Sequence, residues 1–565
     1  MSDLTIRRSQ LISTYGVGSI LPSEAESFIV CGLEDWDSGR LTTIVHPDLA
    51  ATVGVSDFRL PPAATQGKVS VARFPEQYFC PGCRRLGAFW DLWDKKTHQC
   101  KNCGRRLVPS RFVACCEAGH IEDFPYFLWL HKGSPRDAVT HEISLHSSGT
   151  TSSLKDLRLS CTCGVESVDL EGALGRTALK RIKSCGGYRP WLPDSEREDC
   201  DLDLRALQRG SSAAWFPEIT GALSIPPWSS HENAVVRSNW KLIEQNASDE
   251  EWLRKTFRAF AEDEAVVNRL VALAQEISEQ GGSNRPRNAG ELRRLEYGAL
   301  VAGRAEESPH DEFVCVEVEI GTDIAGDIVQ VSKVPRLREV RALHGFSRLG
   351  APTTPGKLVL SEHPTSWLPA IEVIGEGIFV RLNERALSKW ERSECAQARN
   401  SSTRSAAMRS ARARGVEEIP EVSARRTALH TFSHMLLNEL SLEAGYPSTS
   451  LRERLYVGDD YAAVLIYTAT SDSAGSLGGL VAQAEPSRFE PVVLSAIERA
   501  SWCSQDPVCI EALTTGTDGL NNAACHSCML LPETSCEMRN TYLDRAMIVG
   551  SPARPEEGLL AHLID

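Results

Sequence analysis

Two Cys-x-x-Cys pairs, Cys80-Pro-Gly-Cys83 and Cys100-Lys-Asn-Cys103, are separated by sixteen residues of a 565-residue chain. Each pair sets two thiolates on one tight turn. Two such turns complete a tetrahedral four-sulfur site suited to zinc. Gly82 and Gly104 fit the turn geometry. A second set, Cys161-Thr-Cys163 with Cys185 and Cys200, has looser spacing but the same donor chemistry. A third lies near the C-terminus, where Cys509, Cys525, Cys528 and Cys536 are the favoured ligands and Cys503 and His526 compete with them. Cys115, Cys116 and His120 fall between the first two sets. They read equally well as a spare ligand source and as small buried residues beside a loop histidine. Four thiolates close the coordination sphere and leave no place for a reactive water, so these sites are expected to be structural, with two or three Zn2+ ions in the chain.

The remaining composition agrees. All but three of the eighteen cysteines sit in these groups, leaving Cys31, Cys315 and Cys395 as core residues. A disulfide scaffold does not suit a chain of this length in a reducing compartment. No apolar run is long enough to span a bilayer. Met1–Gln10 carries Arg7 and Arg8 without an apolar stretch behind them, so a cytoplasmic protein with no membrane contact is expected. The net charge of −14 excludes a uniformly basic nucleic-acid coat but leaves room for a local basic channel.

Two such basic segments stand out. Residues 381–426 hold eleven Lys or Arg against six Glu, with Arg404, Arg409, Arg412 and Arg414 set among Ser and Ala. This is either a solvated helix face or an arm that tracks phosphates. Lys333–Arg348 contains Arg336, Arg338, Arg341 and Arg348 with Phe346 between them, a pattern that suits stacking on single strands if Phe346 is not a core residue.

Catalytic signatures are few. No GxxxxGK[ST] phosphate cradle and no GxSxG elbow occurs. Tyr15-Gly16-Val17-Gly18 reads as a turn. His430 and His434 share one face of a predicted helix, but Thr431 stands where a metalloprotease would carry its Glu, which favours a buried polar network. The glycine-rich stretch Asp472–Gly479 follows an apolar strand and reads as a turn or a phosphate loop.

The elements that must position these groups suggest an α+β multidomain chain. Its zinc-ribbon-like cysteine-rich modules are joined to a mixed α/β C-terminal domain with a zinc-binding end. The expected regions are 1–75, β-rich; 76–210, cysteine-rich and zinc-binding; 211–310, helical; 311–426, mixed with the basic segment; and 427–565, the C-terminal domain. Helices are expected over Asp249–Ile277, Gly290–Val301 and Thr427–Leu442. Strands are expected at Phe28–Leu33, Phe313–Ile320, Ile328–Val334, Glu372–Leu382 and Ala462–Thr468.

Several segments together resemble the DrmB family of the DISARM anti-phage system. They are Arg8-Ser9-Gln10 through Gly18, Arg111-Phe112-Val113, Gly119-His120-Ile121-Glu122-Asp123-Phe124-Pro125, Leu207-Gln208-Arg209-Gly210, Pro335–Val340 with Gly345-Phe346, and Gly375–Phe379. His430, Ser433-His434, Leu451–Arg454, Ser471-Asp472, Leu477-Gly478-Gly479 and Cys525-His526-Ser527-Cys528 resemble the domain that ends Mrf-type helicases. The resemblance spans nearly the whole chain. It implies a DrmA-like helicase as partner and restriction of invading DNA, with the motor encoded separately. The expected function is therefore a non-motor, zinc-binding scaffold subunit that binds DNA, including single-stranded segments. Two alternatives are a nucleic-acid processing enzyme using His430, His434 and Asp472, and a pure assembly protein without DNA contact.

Overall fold

Ser423 begins the helix Ala424–Ala444 by accepting the Arg426 amide on its hydroxyl, and Gly445, at φ 71°, ends it in the left-handed region. Fifteen of the helix's residues are buried, so it is covered on all sides and not on one stripe. In the computed structural model it packs against the antiparallel strands Leu451–Gly458 and Tyr461–Thr468 and against the helix Pro486–Ala500. The structure describes the chain except residues 1–4, 24–25, 37–40, 64–67, 134–140, 148, 150–152, 227–234, 237–238, 262, 284–285, 287, 307–310, 350–357, 414–420, 469–477, 517–518 and 565.

The chain forms two compact units, each assembled from segments distant in sequence. The first comprises 1–42, 59–219 and 342–369, and the second 43–58, 220–341 and 370–565. Of the regions expected in chain order, 76–210 falls within the first unit and 427–565 within the second, while 1–75, 211–310 and 311–426 are each divided between the two.

In the first unit a six-stranded sheet carries the cysteine-rich modules. Its order runs from Val168–Asp169 through Leu157–Cys161, Ile143–Ser147, Arg85–Ala88 and Gln77–Phe79 to Val108–Pro109. A three-stranded sheet sets Phe112–Cys115 between Ile121–Asp123 and Arg205–Gln208. Gly18, at φ +80°, lies against the Phe346 ring; a Cβ there would stand 2.2 Å from Phe346 Cζ. The Tyr15–Gly18 turn is thus a packing element, and Phe346 is fully buried as a core residue.

In the second unit the strand Trp367–Leu382 pairs with Tyr461–Thr468 from Gly377↔Tyr467 to Arg381↔Ala463. The helices expected near the middle of the chain occur as Glu250–Phe257, Glu264–Ser283 and Ala289–Ala302. The strand expected at Ile328–Val334 runs on to Ser347. The longer strand follows from Arg338 and Arg341, which are buried beside carboxylates instead of ending the strand at a surface loop.

Candidate metal centres and a basic helix

The strands Gln77–Phe79 and Arg85–Ala88 pair antiparallel, and the turn between them holds Cys80 and Cys83. Both Cys-x-x-Cys turns close alike. The Cys80 amide donates to the Arg85 carbonyl and the Arg84 amide to the Cys80 carbonyl, while Cys100 and Gly104 repeat the pattern with Arg105. The residues after the second cysteines, Arg84 and Gly104, have φ of 66° and 68°. The sulfurs of Cys80 and Cys103 are 3.3 Å apart and those of Cys83 and Cys100 3.7 Å. A Cβ on Gly82 would lie 2.8 Å from the Cys103 sulfur, so glycine is required for the turns to meet. Burial pushes the Cys80 thiol up to about 12, whereas the Arg85 amide and Asn102 bring Cys83 down to about 7 against its own burial.

The second set expected from sequence is divided between two sites. Cys185 and Cys200 gather with Cys116 and His120, whereas Cys161 and Cys163 gather with His131 and His141. In each group the ligand atoms lie within 4.8 Å of one another. His120 Nδ1 stands 3.4 Å from Cys116 Sγ and 3.5 Å from Cys185 Sγ, and its Nε2 is 2.7 Å from a Glu198 carboxylate oxygen. That carboxylate fixes the ring so that Nδ1 faces the sulfurs. The Cys185 thiol and then His120 bring Cys116 down to about 4 despite burial, and His120 is raised in turn, chiefly through Cys116. Cys115 is not among the gathered ligands; its thiol is fully enclosed and pushed up to about 12 by burial.

At the other site Cys161 Sγ is 3.4 Å from His141 Nδ1 and Cys163 Sγ 3.4 Å from His131 Nε2. His131 Nδ1 donates to the Phe127 carbonyl one helical turn back. The sequence reading missed these two histidines. Their nine-residue separation ahead of a Cys-x-Cys pair was the available signal.

The C-terminal group exchanges one expected ligand. Cys509, Cys525 and Cys528 gather with Cys503, and Cys536 lies in another cluster. Cys503 is 3.5 Å from Cys525, and Cys509 is 3.7 Å from Cys528, sulfur to sulfur. Asp506 shores up the loop by accepting the Cys503 and Ile510 amides and the fully buried Arg545 guanidinium at 2.6 Å. These four sets, sulfur-rich with imidazole at two of them, fit zinc by donor type and spacing.

His430 and His434 enter a different cluster with Glu453 and Cys536, and burial lowers the His430 pKa. The four side chains lie deep in the second unit. A reaction using His430 and His434 on a nucleic acid would need them at a surface; Asp472 lies outside the described residues.

The basic segments part company. Arg338 donates to Ser224 Oγ at 2.6 Å and pairs with Glu372 and Glu312. Arg341 pairs with Glu339 at 2.6 Å, and Arg336 donates to the Asp311 carbonyl at 3.1 Å and pairs with Glu306. Arg348 is 1% exposed and donates to the carbonyls of Gly119, Ala214 and Gly18. The expectation that Arg336, Arg338, Arg341 and Arg348 meet phosphates is therefore corrected: three of them are buried, and all four are spent on internal acceptors.

By contrast, Arg404, Arg409 and Arg412 are exposed on the helix Glu394–Ala413. At 3.6 residues per turn they fall within an arc of about 140°, opposite the buried Ala396, Thr403, Ala407 and Ala411. Arg414 lies outside the described residues. The C-terminal cysteine module holds this helix in place. Arg399 makes a two-pronged pair with Asp544 at 2.6 and 2.7 Å, Asn522 donates to Thr403 at 3.0 Å, and Ser402 donates to the Leu513 carbonyl at 3.3 Å.

Fold and site together define an α+β protein built on several cysteine and histidine metal-type clusters. Residues 432–529 match the family described as the MrfA Zn-binding domain, and residues 7–216 match Domain of unknown function DUF8724. The DISARM protein DrmB of Bacillus paralicheniformis (strain ATCC 9945a / NCIMB 11709 / CD-2) is 30% identical over 559 residues, covering 94% of this chain and 97% of that protein. The chain belongs to the DrmB family. The DUF1998 helicase MrfA, solved bound to DNA, overlaps 37% of this chain and 23% of its own at 10% identity with a TM-score of 0.18, which is too slight to argue from. Among the described residues no helix is long and apolar enough to cross a membrane.

Proposed function

We propose that this protein is a non-motor, DNA-binding scaffold subunit that works beside a separate DrmA-like helicase in the defence of a cell against foreign DNA. The observation that carries the reading is the near full-length relationship to a DISARM protein DrmB. Zinc in the four cysteine-rich clusters holds loop-rich modules whose cores are too thin to stand alone. The module around Cys503–Cys528 supplies two things a scaffold needs. It braces the helix that presents Arg404, Arg409 and Arg412, and it exposes Trp502, Val508 and Leu513 at 69%, 78% and 52%. Large apolar side chains left in water are typical of a docking face, and the arginine stripe is suited to a phosphate backbone.

Co-expression with the DrmA-like helicase tests the reading. The two chains are expected to co-elute, and the helicase to hold DNA more tightly in the complex. Separate elution, with neither chain altering the other's DNA binding, would overturn it. The assembly-only alternative differs in one outcome: the complex forms, but charge reversal of Arg404, Arg409 and Arg412 leaves DNA binding unchanged.

A further inference from the structure

His430 and His434 stand one turn apart on the helix Ala424–Ala444, so their rings share a face. Glu453 comes from the strand Leu451–Gly458, and Cys536 from the segment that follows the C-terminal cysteine module. The four ligand atoms lie within 4.8 Å of one another, and the four residues are 0%, 0%, 1% and 4% exposed.

The hydrogen bonds around the cluster determine which atoms face inward. His434 Nδ1 donates to the Met529 carbonyl at 2.7 Å, which leaves Nε2 as the ring's lone pair. That Nε2 makes no hydrogen bond and lies 3.5 Å from Glu453 Oε1. His430 Nε2 lies 3.1 Å from the same oxygen and 3.2 Å from Cys536 Sγ. Glu453 is oriented by the Ser433 hydroxyl and by the Glu537 amide at 3.1 Å. The Met538 and Asn540 amides donate to Cys536 Sγ at 3.3 and 3.2 Å and fix the position of the sulfur.

Imidazole lone pair, carboxylate oxygen and sulfur thus converge on one point without solvent. Acceptors brought together in a low-dielectric interior repel unless positive charge lies between them. One proton can bridge one pair of these atoms; a cation at the centre satisfies all four. We propose that His430, His434, Glu453 and Cys536 form a further metal site, distinct from the four cysteine-rich clusters, that binds a divalent transition-metal ion, zinc foremost. Two imidazoles, one carboxylate and one thiolate make a set of mixed softness within the range zinc accepts. Four buried protein ligands leave no position for a bound water, so the ion joins helix, strand and C-terminal segment and does no hydrolysis. The span matching the MrfA Zn-binding domain, 432–529, contains all four of Cys503, Cys509, Cys525 and Cys528 but neither His430 nor Cys536.

The test is metal counting on the zinc-saturated full-length chain, after exchange into a weak chelator, by native mass spectrometry and elemental analysis. Wild type is expected to retain one ion more than Cys536→Ser and one more than His434→Asn, each checked for folding by circular dichroism. Folded variants that retain as many ions as wild type would overturn the proposal. If neither variant folds, the unaltered chain still decides. Anomalous diffraction at the zinc edge from crystals of the unaltered chain then reads the site itself: a peak between His434 Nε2, Glu453 Oε1 and Cys536 Sγ supports it, and no peak there, with zinc seen at the cysteine-rich clusters, overturns it.

Discussion

The Arg348 guanidinium donates at 2.9 Å to the carbonyl of Gly119, the residue just before the metal-type ligand His120. It also holds the Gly18 and Ala214 carbonyls, so one buried cation joins three loops of the first unit. Burial lowers its pKa to about 10, and nearby thiols, Cys115 before Cys116, oppose that fall. With a dication bound, the three thiolates would leave one negative charge on the Cys116 cluster, which a buried arginine would complement.

Replacing Arg348 with Met keeps the apolar stem but strands three carbonyls. The expected loss is about 3 kcal/mol or more. Denaturant unfolding should show it, together with earlier zinc release from the Cys116–His120–Cys185–Cys200 set. Unchanged stability would mean that water replaces the guanidinium.

Glu198 acts on the same cluster through His120 Nε2. Glu198→Gln should weaken zinc retention by roughly 10–100-fold while the protein stays folded, and His120→Ala should weaken it further. Competition with a chromophoric chelator reads both variants. Equal zinc retention in wild type and Glu198→Gln would show that the carboxylate does not orient the ring.

A pH signature comes from Glu339, fully buried between Arg341 and Arg454. Burial acts to raise its pKa, but the two guanidinium charges outweigh it and hold the carboxyl at about 2. The folded value lies below the ordinary 4.5. Ionised Glu339 therefore contributes stability in full above that value, and the contribution is lost as the pH falls toward about 2. Its size is on the order of 3 kcal/mol. Acid unfolding of Glu339→Gln against wild type should show the gap between the two curves shrinking over this window. A constant gap would contradict the assignment.

The first cysteine set was legible in sequence because each knuckle is a local turn whose two thiolates lie three residues apart. The ligands missed or misassigned are those brought together by tertiary folding. Cys161 and Cys163 meet His131 and His141 only because Ile143–Ser147 pairs with Leu157–Cys161. Cys503 displaces Cys536 because the segment after Cys528 carries Cys536 back to the helix of His430. Charge alone misled in Lys333–Arg348, since a sequence shows an arginine but not the carboxylate or carbonyl it will face. In the second unit the helix Ala289–Ala302 and the strands Phe313–Val318 and Tyr461–Thr468 were legible from their apolar patterns, whereas the strand Leu451–Gly458 and the helix Pro486–Ala500 were not foreseen. The discontinuous make-up of the two units was not, because strand pairing across hundreds of residues leaves no local trace.

The exposed stripe on Glu394–Ala413 makes a charge prediction. Changing Arg404, Arg409 and Arg412 to Glu should weaken DNA binding and flatten its salt dependence by ~0.9 in log–log slope for each phosphate charge left unneutralised. Arg338→Lys, a change at a buried position, should leave that slope as it is. Fluorescence anisotropy on short duplex and single-stranded DNA at several salt concentrations measures both.

The most direct measurement is a DNA-binding titration of the zinc-loaded protein, alone and with its DrmA-like helicase, against single-stranded, duplex and overhang DNA at two salt concentrations. The account predicts salt-sensitive binding that tightens when the helicase is present and is lost when zinc is removed. Binding absent in both states, with zinc fully loaded, would contradict the DNA-binding scaffold and leave a zinc-stabilised assembly protein.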